Sequence, residues 1–410
     1  MHPDAGALRT GAAAAIFAAT YLVIAIGRLP GFRLDRAGAA FLGASLMVAT
    51  NVLSLGQAFA AIDMNTIALL LGMMIVVANL RLSGLFRVLT HWAAERAHHP
   101  LVLLTVISLL SGVLSAFLVN DAICLALTPL VLDLVLVLER NPVPYLLAIA
   151  MAANVGGVAT ITGNPQNMII GSISGIGYGR FAAALAPVAA IGLILTIALI
   201  AVLFRAEFWT GERLSAAAIR TPRPNRPVMV KTLLITAALM VGLFFGVAPA
   251  KAATIAGALL LLTRRVASRK IYAEIDWALL LMFAGLFIVV AGFERAVLTG
   301  SVIDRLAALP LTGAAPLSVL TAVLSNLVSN VPAVLVLRRF VEHLANPTRA
   351  WLVVAMASTL AGNFTILGSV ANLIVVQRAR ARDVEISFGA YFRIGAPLTI
   401  LTIAVGVLLL

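Results

Sequence analysis

A few polar residues interrupt the long apolar runs of this 410-residue chain, and their types bear on chemistry. Asn120-Asp121, Asn164-Pro165, Asn330-Val331-Pro332 and Ser369 all lie inside or beside such runs. Asn and Ser are good helix N-caps, and proline suits the first helical turn because the N–H it lacks would be unpaired there. Asn120, Asn164, Asn330 and Ser369 are therefore each expected to cap a half-helix. Four helix N-termini meeting inside a membrane would present free N–H groups and partial positive charge, which favours an anion or an oxygen-rich solute. Asn167 and Asn372 follow two of these points and complete the candidate substrate set: Asn120, Asn164, Asn167, Asn330, Ser369 and Asn372. An acid inside an apolar hairpin costs at least ~2.5 kcal/mol on insertion scales and marks an ion or proton path. Asp121 is that acid, and with Thr160, Thr162 and Thr365 it forms the candidate coupling set for H⁺ or Na⁺.

Other titratable residues read more plainly. Asp133 lies towards the end of its hairpin limb, and Asp63 and Asp276 stand at helix starts, where capping suffices. The single cysteine, Cys124, excludes an internal disulfide and a thiolate metal cage. His91, His98 and His99 fall in a polar loop. The apolar runs hold no histidine and only that one thiol, so no nucleophile–base pair or metal set is available, and neither an enzyme nor a bound cofactor is expected.

These residues need a membrane to position them. The chain is 62% hydrophobic and 11% charged, more apolar surface than a soluble domain can hide. The net charge of +13 is spread over short loops and gathered on no soluble face, which argues against nucleic acid and for lipid. The one long polar stretch, 205–231, is basic and Pro-rich, and reads as a cytoplasmic linker between halves 1–204 and 232–410.

The halves resemble each other. Asp63–Asn79 aligns without gaps on Asp276–Gly292, bringing Gly72 onto Gly285. Asn120 falls on Asn330, and Thr160, Gly163 and Asn167 fall on Thr365, Gly368 and Asn372. Val331 replaces Asp121 the second time, so any coupling acid is single. Each half reads as three helices, a hairpin (about 101–138 and 313–337), an interrupted helix (about 144–175 and 350–378) and a final helix. The second hairpin leaves about a dozen residues per limb, roughly 18 Å of helix, which is too short for a ~30 Å core. Re-entrant hairpins are expected, giving an all-α polytopic protein of about ten spans in two inverted repeats, with helix breaks at the midplane. With both termini outside, 21 of the 29 Lys and Arg lie on the inner side, as the positive-inside rule requires. An inner, cytoplasmic membrane is the expected location.

Four stretches carry a family resemblance: Phe117–Pro129, Asn154–Asn167, Ser329–Leu335 and Ala361–Ser369. Asn-Asp followed by Leu-Thr-Pro, and Asn-Val-Pro-x-Val-Leu, resemble the ion transporter superfamily, in its ArsB-type arsenite permease and citrate-transporter-like branches. The resemblance implies ten spans plus two hairpins, a possible homodimer, and an elevator-type displacement of a transport domain. It implies hairpin-tip roles for Asn120 and Asn330, with helix breaks at Thr160–Asn164 and Thr365–Ser369. Dicarboxylate carriers of that superfamily bear Ser-Asn-Thr at both tips, whereas these read Val119-Asn-Asp and Ser329-Asn-Val. The expectation is an ion-coupled secondary active transporter of a small inorganic or organic anion or oxyanion-like solute, with arsenite or antimonite efflux as the leading case. The alternatives are a Na⁺/H⁺ antiporter and a Na⁺-coupled di- or tricarboxylate carrier.

Overall fold

The computed structural model describes residues 3–26, 34–211, 214, 224–297 and 313–410. Among these residues the regular elements are all helical. The first half holds α1 (Pro3–Ile26), α2 (Arg36–Ala49), α3 (Leu55–Ala61), α4 (Met64–Ser83), α5 (Leu85–Arg96), α6 (Pro100–Phe117), α7 (Asn120–Val137), α8 (Pro142–Gly157), α9 (Pro165–Ser174) and α10 (Tyr178–Leu203). After α11 (Arg205–Phe208), the second half holds α12 (Arg226–Phe244), α13 (Pro249–Leu261), α14 (Ser268–Tyr272), α15 (Trp277–Ala296), α16 (Ala314–Val328), α17 (Asn330–Glu342), α18 (Pro347–Ala361), α19 (Val370–Arg380) and α20 (Phe388–Leu409). Part of the expected linker, 212–213 and 215–223, lies outside the described residues. Its end does not: α12 begins at Arg226, because the tail of the basic stretch already supplies helix formers behind Pro227.

Local chemistry sets several boundaries. Asp63 accepts from the backbone N–H of Asn65 and Thr66 to start α4, and Asp276 accepts from Leu279 to start α15. Gly84, at φ +85°, ends α4 in the left-handed region that glycine tolerates best.

Among the described residues, eight helices are long and apolar enough to cross a membrane: the 8–26 portion of α1, then α4, α6, α7, α10, α12, α15 and α20. The two limbs of the first hairpin have 18 residues each, about 27 Å of helix, so length alone lets them cross. Those of the second hairpin have 15 and 13 residues, about 20–22 Å, and fall short. The shorter helices α8 and α18 are sheathed by protein instead, with almost every residue buried from Pro144 to Gly157 and from Ala350 to Ala361. An all-round apolar sequence belongs in such a place.

Matching positions make matching contacts. Gly72 of α4 lies against the backbone of Ala253 in α13, and Gly285 of α15 against that of Ala40 in α2. A Cβ on either glycine would stand 2.5–2.6 Å from a backbone carbonyl carbon. Each half thus lends a small helix to the glycine of the other, and close approach requires the missing side chain. The hairpins repeat a buried hydroxyl stripe, Ser108, Ser111 and Ser115 in α6 and Ser318, Thr321 and Ser325 in α16.

Candidate solute site at the hairpin tips and helix breaks

The two breaks are built alike. After α8, a short 3₁₀ turn (Ile161–Gly163) leads into extended Asn164, and Pro165 opens α9. After α18, the turn Ile366–Gly368 leads into extended Ser369 and then α19. Asn164 accepts from the Asn167 N–H at 2.9 Å, and Ser369 accepts from the Ala371 N–H at 3.2 Å. Both therefore cap, as the sequence suggests. Asn167 and Asn372 stitch the breaks shut. Asn167 Nδ2 donates to Gly157 O and Thr160 O, both at 3.0 Å. Asn372 Nδ2 donates to Gly362 O at 2.7 Å and Thr365 O at 3.1 Å. Carbonyls freed where a membrane helix stops are thereby satisfied by a side chain.

The hairpin tips depart from expectation. Val119 and Ser329, not Asn120 and Asn330, occupy the N-cap positions, and no side chain caps either helix. Asn120 and Asn330 stand one residue further in, at the first helical position. Ser329 has φ +78° and ψ 159°, a region that is essentially glycine-only and costs about 1–3 kcal/mol for other residues.

The tips and breaks converge on one cavity of about 40 Å³. Its polar wall is Asn120, Asp121, Gln166, Ser329, Asn330 and Ser369, and Leu279, Met282 and Phe283 of α15 close the apolar side. Asn120 and Asn330 are 3% and 8% exposed. Each has a buried Oδ1 with no hydrogen-bond partner. Buried amide oxygens are rarely left so, and these two belong to residues bordering one cavity. The wall contains one carboxylate and no Lys or Arg. Asp121 also borders a second cavity, of about 100 Å³, with Asp276, Arg81 and Glu274 on its wall. Arg81 Nη1 and Glu274 Oε2 are 2.5 Å apart there.

Of the sequence-derived candidates, Asn120, Asn330, Ser369 and Asp121 border this cavity. Asn164, Asn167, Asn372, Thr160, Thr162 and Thr365 are not part of its wall. Thr160 Oγ1 bonds Ala116 O, and Thr162 Oγ1 lies 2.8 Å from the Tyr178 hydroxyl. Asp133 makes a surface ion pair with Arg382 at 2.8 Å. Cys124 is buried and free. Among the described residues no group of His, Cys, Asp and Glu suits a metal ion.

Four polar residues escaped the sequence reading. Gln166 borders the cavity and donates to Thr359 Oγ1 at 3.1 Å. Asn154 receives Asn120 Nδ2 at 2.9 Å and donates to Asn363 Oδ1 at 2.8 Å and Asn372 Oδ1 at 3.0 Å. The available signal was a polar residue within a helix otherwise buried and apolar, which is costly without a partner.

Comparison with known proteins agrees with this architecture. An uncharacterized transporter of Mycobacterium tuberculosis is 30% identical, with 97% of each chain covered. The silicon efflux transporter of Oryza sativa is 29% identical, with 95% of each chain covered. A putative transporter of Dictyostelium discoideum named arsB is 25% identical, covering 91% of this chain and 87% of its own. In structure, the YdaH transporter of Alcanivorax borkumensis superimposes with a TM-score of 0.59 at 16% identity, covering 99% of this chain and 98% of its own. The description "citrate transporter" matches residues 21–361. The chain is a multi-pass membrane transporter protein and belongs to the citrate transporter family of the ion transporter superfamily.

Proposed function

We propose that this protein is an ion-coupled secondary active transporter of a small oxyanion-like solute, bound in its hydroxyl-bearing form, with arsenite or antimonite efflux as the leading case. The observation that carries the reading is the make-up of the cavity: two of the residues bordering it hold buried amide oxygens without a partner, and its wall has one carboxylate and no cationic side chain. Helix N-termini favour an anion, but the sites they offer are partly taken. Asn164 and Ser369 use the N–H groups of Asn167 and Ala371, and Asp121 stands on the same wall as Ser369. A fixed carboxylate there repels a second anion and attracts a cation or a hydroxyl donor. The uncharged acid of an oxyanion supplies such donors, and the coupling ion neutralises Asp121.

Size points the same way. One water needs roughly 10–15 Å³ on this measure, so about 40 Å³ suits one small solute better than a tricarboxylate. The rice and Dictyostelium relatives, one named for silicon efflux and the other arsB, are consistent with an uncharged or weakly acidic oxyacid. Two inverted repeats displacing a hairpin-and-break domain against α4 and α15, with both termini outside the inner membrane, is the arrangement we favour. Counterflow in proteoliposomes with arsenite, antimonite, silicate, phosphate and citrate, with and without pH and Na⁺ gradients, tests it. Gradient-driven counterflow of the hydroxylated acids is expected. Transport of citrate alone, or Na⁺/H⁺ exchange with no solute, would overturn the reading.

A further inference from the structure

The first tip amide is not free to choose which edge it shows. Asn372 Nδ2 donates to the carbonyls of Gly362 and Thr365 at 2.7 and 3.1 Å, and carbonyls only accept. Its Oδ1 must face the other way, where it receives Asn154 Nδ2 at 3.0 Å. Asn363 follows the same logic: its Nδ2 donates to Met151 O at 3.2 Å, and its Oδ1 receives Asn154 Nδ2 at 2.8 Å. Asn154 therefore turns its nitrogen away from the tip and has only Oδ1 to offer it. Asn120 meets that oxygen with Nδ2 at 2.9 Å, and Ser369 Oγ joins at 3.1 Å. What Asn120, which borders the cavity, has left is a buried Oδ1 with no partner.

The second half lacks this relay. Thr359 stands at the position that matches Asn154, and its hydroxyl is engaged by the amides of Asn164 and Gln166, both at 3.1 Å. Asn330 makes no side-chain hydrogen bond among the described residues.

We propose that Asn154 is a positioning residue that makes the first hairpin tip an obligate acceptor and so selects hydroxyl-bearing solutes over anions. This rests on the reading of the cavity as a solute site. To hold an anion, Asn120 would have to show its Nδ2 edge. Turning the amide over would set its Oδ1 against Asn154 Oδ1, and correcting that would leave the carbonyl acceptors of Gly362, Thr365 and Met151 without donors. Buried polar groups left unpaired are how a hydrogen-bonding site rejects the wrong ligand.

Asn154→Thr tests this, because it copies Thr359, keeps a polar group, and lets the Asn120 amide turn. The first readout needs no solute: hydrogen exchange of side-chain amides by NMR on asparagine-labelled protein, with the Asn120 signal identified by its loss in Asn120→Ala. The Asn120 amide protons are expected to be protected in the wild type and to exchange at least about tenfold faster in Asn154→Thr, the worth of one buried hydrogen bond. Asn363→Ala, which removes one of two anchors, should fall between, and it serves if Asn154→Thr does not fold. Unprotected Asn120 in the wild type, or unchanged exchange in both variants, overturns the proposal.

The second readout is counterflow. Asn154→Thr should raise the half-saturation for arsenous acid about tenfold, change the maximal rate by no more than about twofold, and make phosphate a competitor. A uniform loss of rate with half-saturation unchanged indicates a merely structural residue and overturns it. If the wild type carries none of the probes, the solute reading falls, while the exchange readout still decides for or against positioning.

Discussion

The side chain of Asp121, in the first half of the chain, shares one cavity wall with Ser369, the N-cap of α19 in the second. Asp121 borders both the cavity at the tips and the neighbouring cavity that contains Asp276 and Glu274. One residue thus borders the tip cavity beside a half-helix N-cap and a second cavity that holds Asp276 and the Arg81–Glu274 pair. Asp121→Asn retains the shape and a hydrogen-bond acceptor but loses the charge. The expected outcome is abolished coupling to the pH or Na⁺ gradient, with solute exchange at equal gradients preserved and the melting midpoint in detergent nearly unchanged. Coupled transport at the wild-type level in this variant would reduce Asp121 to a partner of the helix end.

The two tip asparagines should respond differently to truncation. Asn120→Ala removes a donor from Asn154, whereas Asn330→Ala removes no side-chain hydrogen bond among the described residues. In solute-free detergent, Asn120→Ala is expected to be the less stable by about 1 kcal/mol. Both should weaken solute binding. Equal melting midpoints would show that the Asn120–Asn154 bond contributes no net stability.

Ser329 offers a stabilising change. Its φ of +78° and ψ of 159° suit glycine, so Ser329→Gly should relieve about 1–3 kcal/mol of strain against about 0.5–1 kcal/mol of added chain entropy. A higher unfolding midpoint is expected. A lower one would mean that the Ser329 hydroxyl matters more than its backbone.

The crossings at Gly72 and Gly285 should be equally intolerant. In Gly72→Val or Gly285→Val the new side chain meets the backbone of Ala253 or Ala40, which cannot turn aside as a rotamer can. Overpacking of this kind costs about 1–3 kcal/mol, and more where nothing yields. Size-exclusion profiles and melting midpoints of the two variants should fall together. If only one falls, the two crossings are not mechanically equivalent.

Ion pairs should separate by burial. Arg140 Nε lies 2.8 Å from Glu207 Oε1, with side chains only 13% and 11% exposed, and the Tyr145 hydroxyl donates to the same oxygen at 3.1 Å. Arg140→Leu strands a buried carboxylate and is expected to cost about 3 kcal/mol. Arg382→Leu breaks the exposed pair with Asp133 and should cost under about 1 kcal/mol. Thermal unfolding of the two variants side by side checks the contrast.

Much of this architecture is written in one dimension. Apolar runs, with Asn, Pro, Ser and Gly where they stop, are local signals, and they locate the helices and breaks because backbone groups in lipid must be satisfied within the segment or beside it. The repeat of Gly72 at Gly285 and of Asn167 at Asn372 is likewise visible as spacing. At the tips the structure places the caps at Val119 and Ser329, one residue before the asparagines that the sequence suggests. Whether Val119 or Asn120 takes the non-helical position depends on a backbone dihedral that the neighbouring chain imposes, and both residue types permit it. What only the tertiary structure decided is direction. Asn120 can donate or accept, and nothing in its own segment chooses. The choice comes from Asn154, which takes it from Asn363 and Asn372, which take it from carbonyls at Met151, Gly362 and Thr365. Those partners lie more than 200 residues along the chain from Asn154 in the cases of Asn363 and Asn372. A hydrogen bond has polarity as well as position, and only folding the two halves together passes that polarity to the cavity wall.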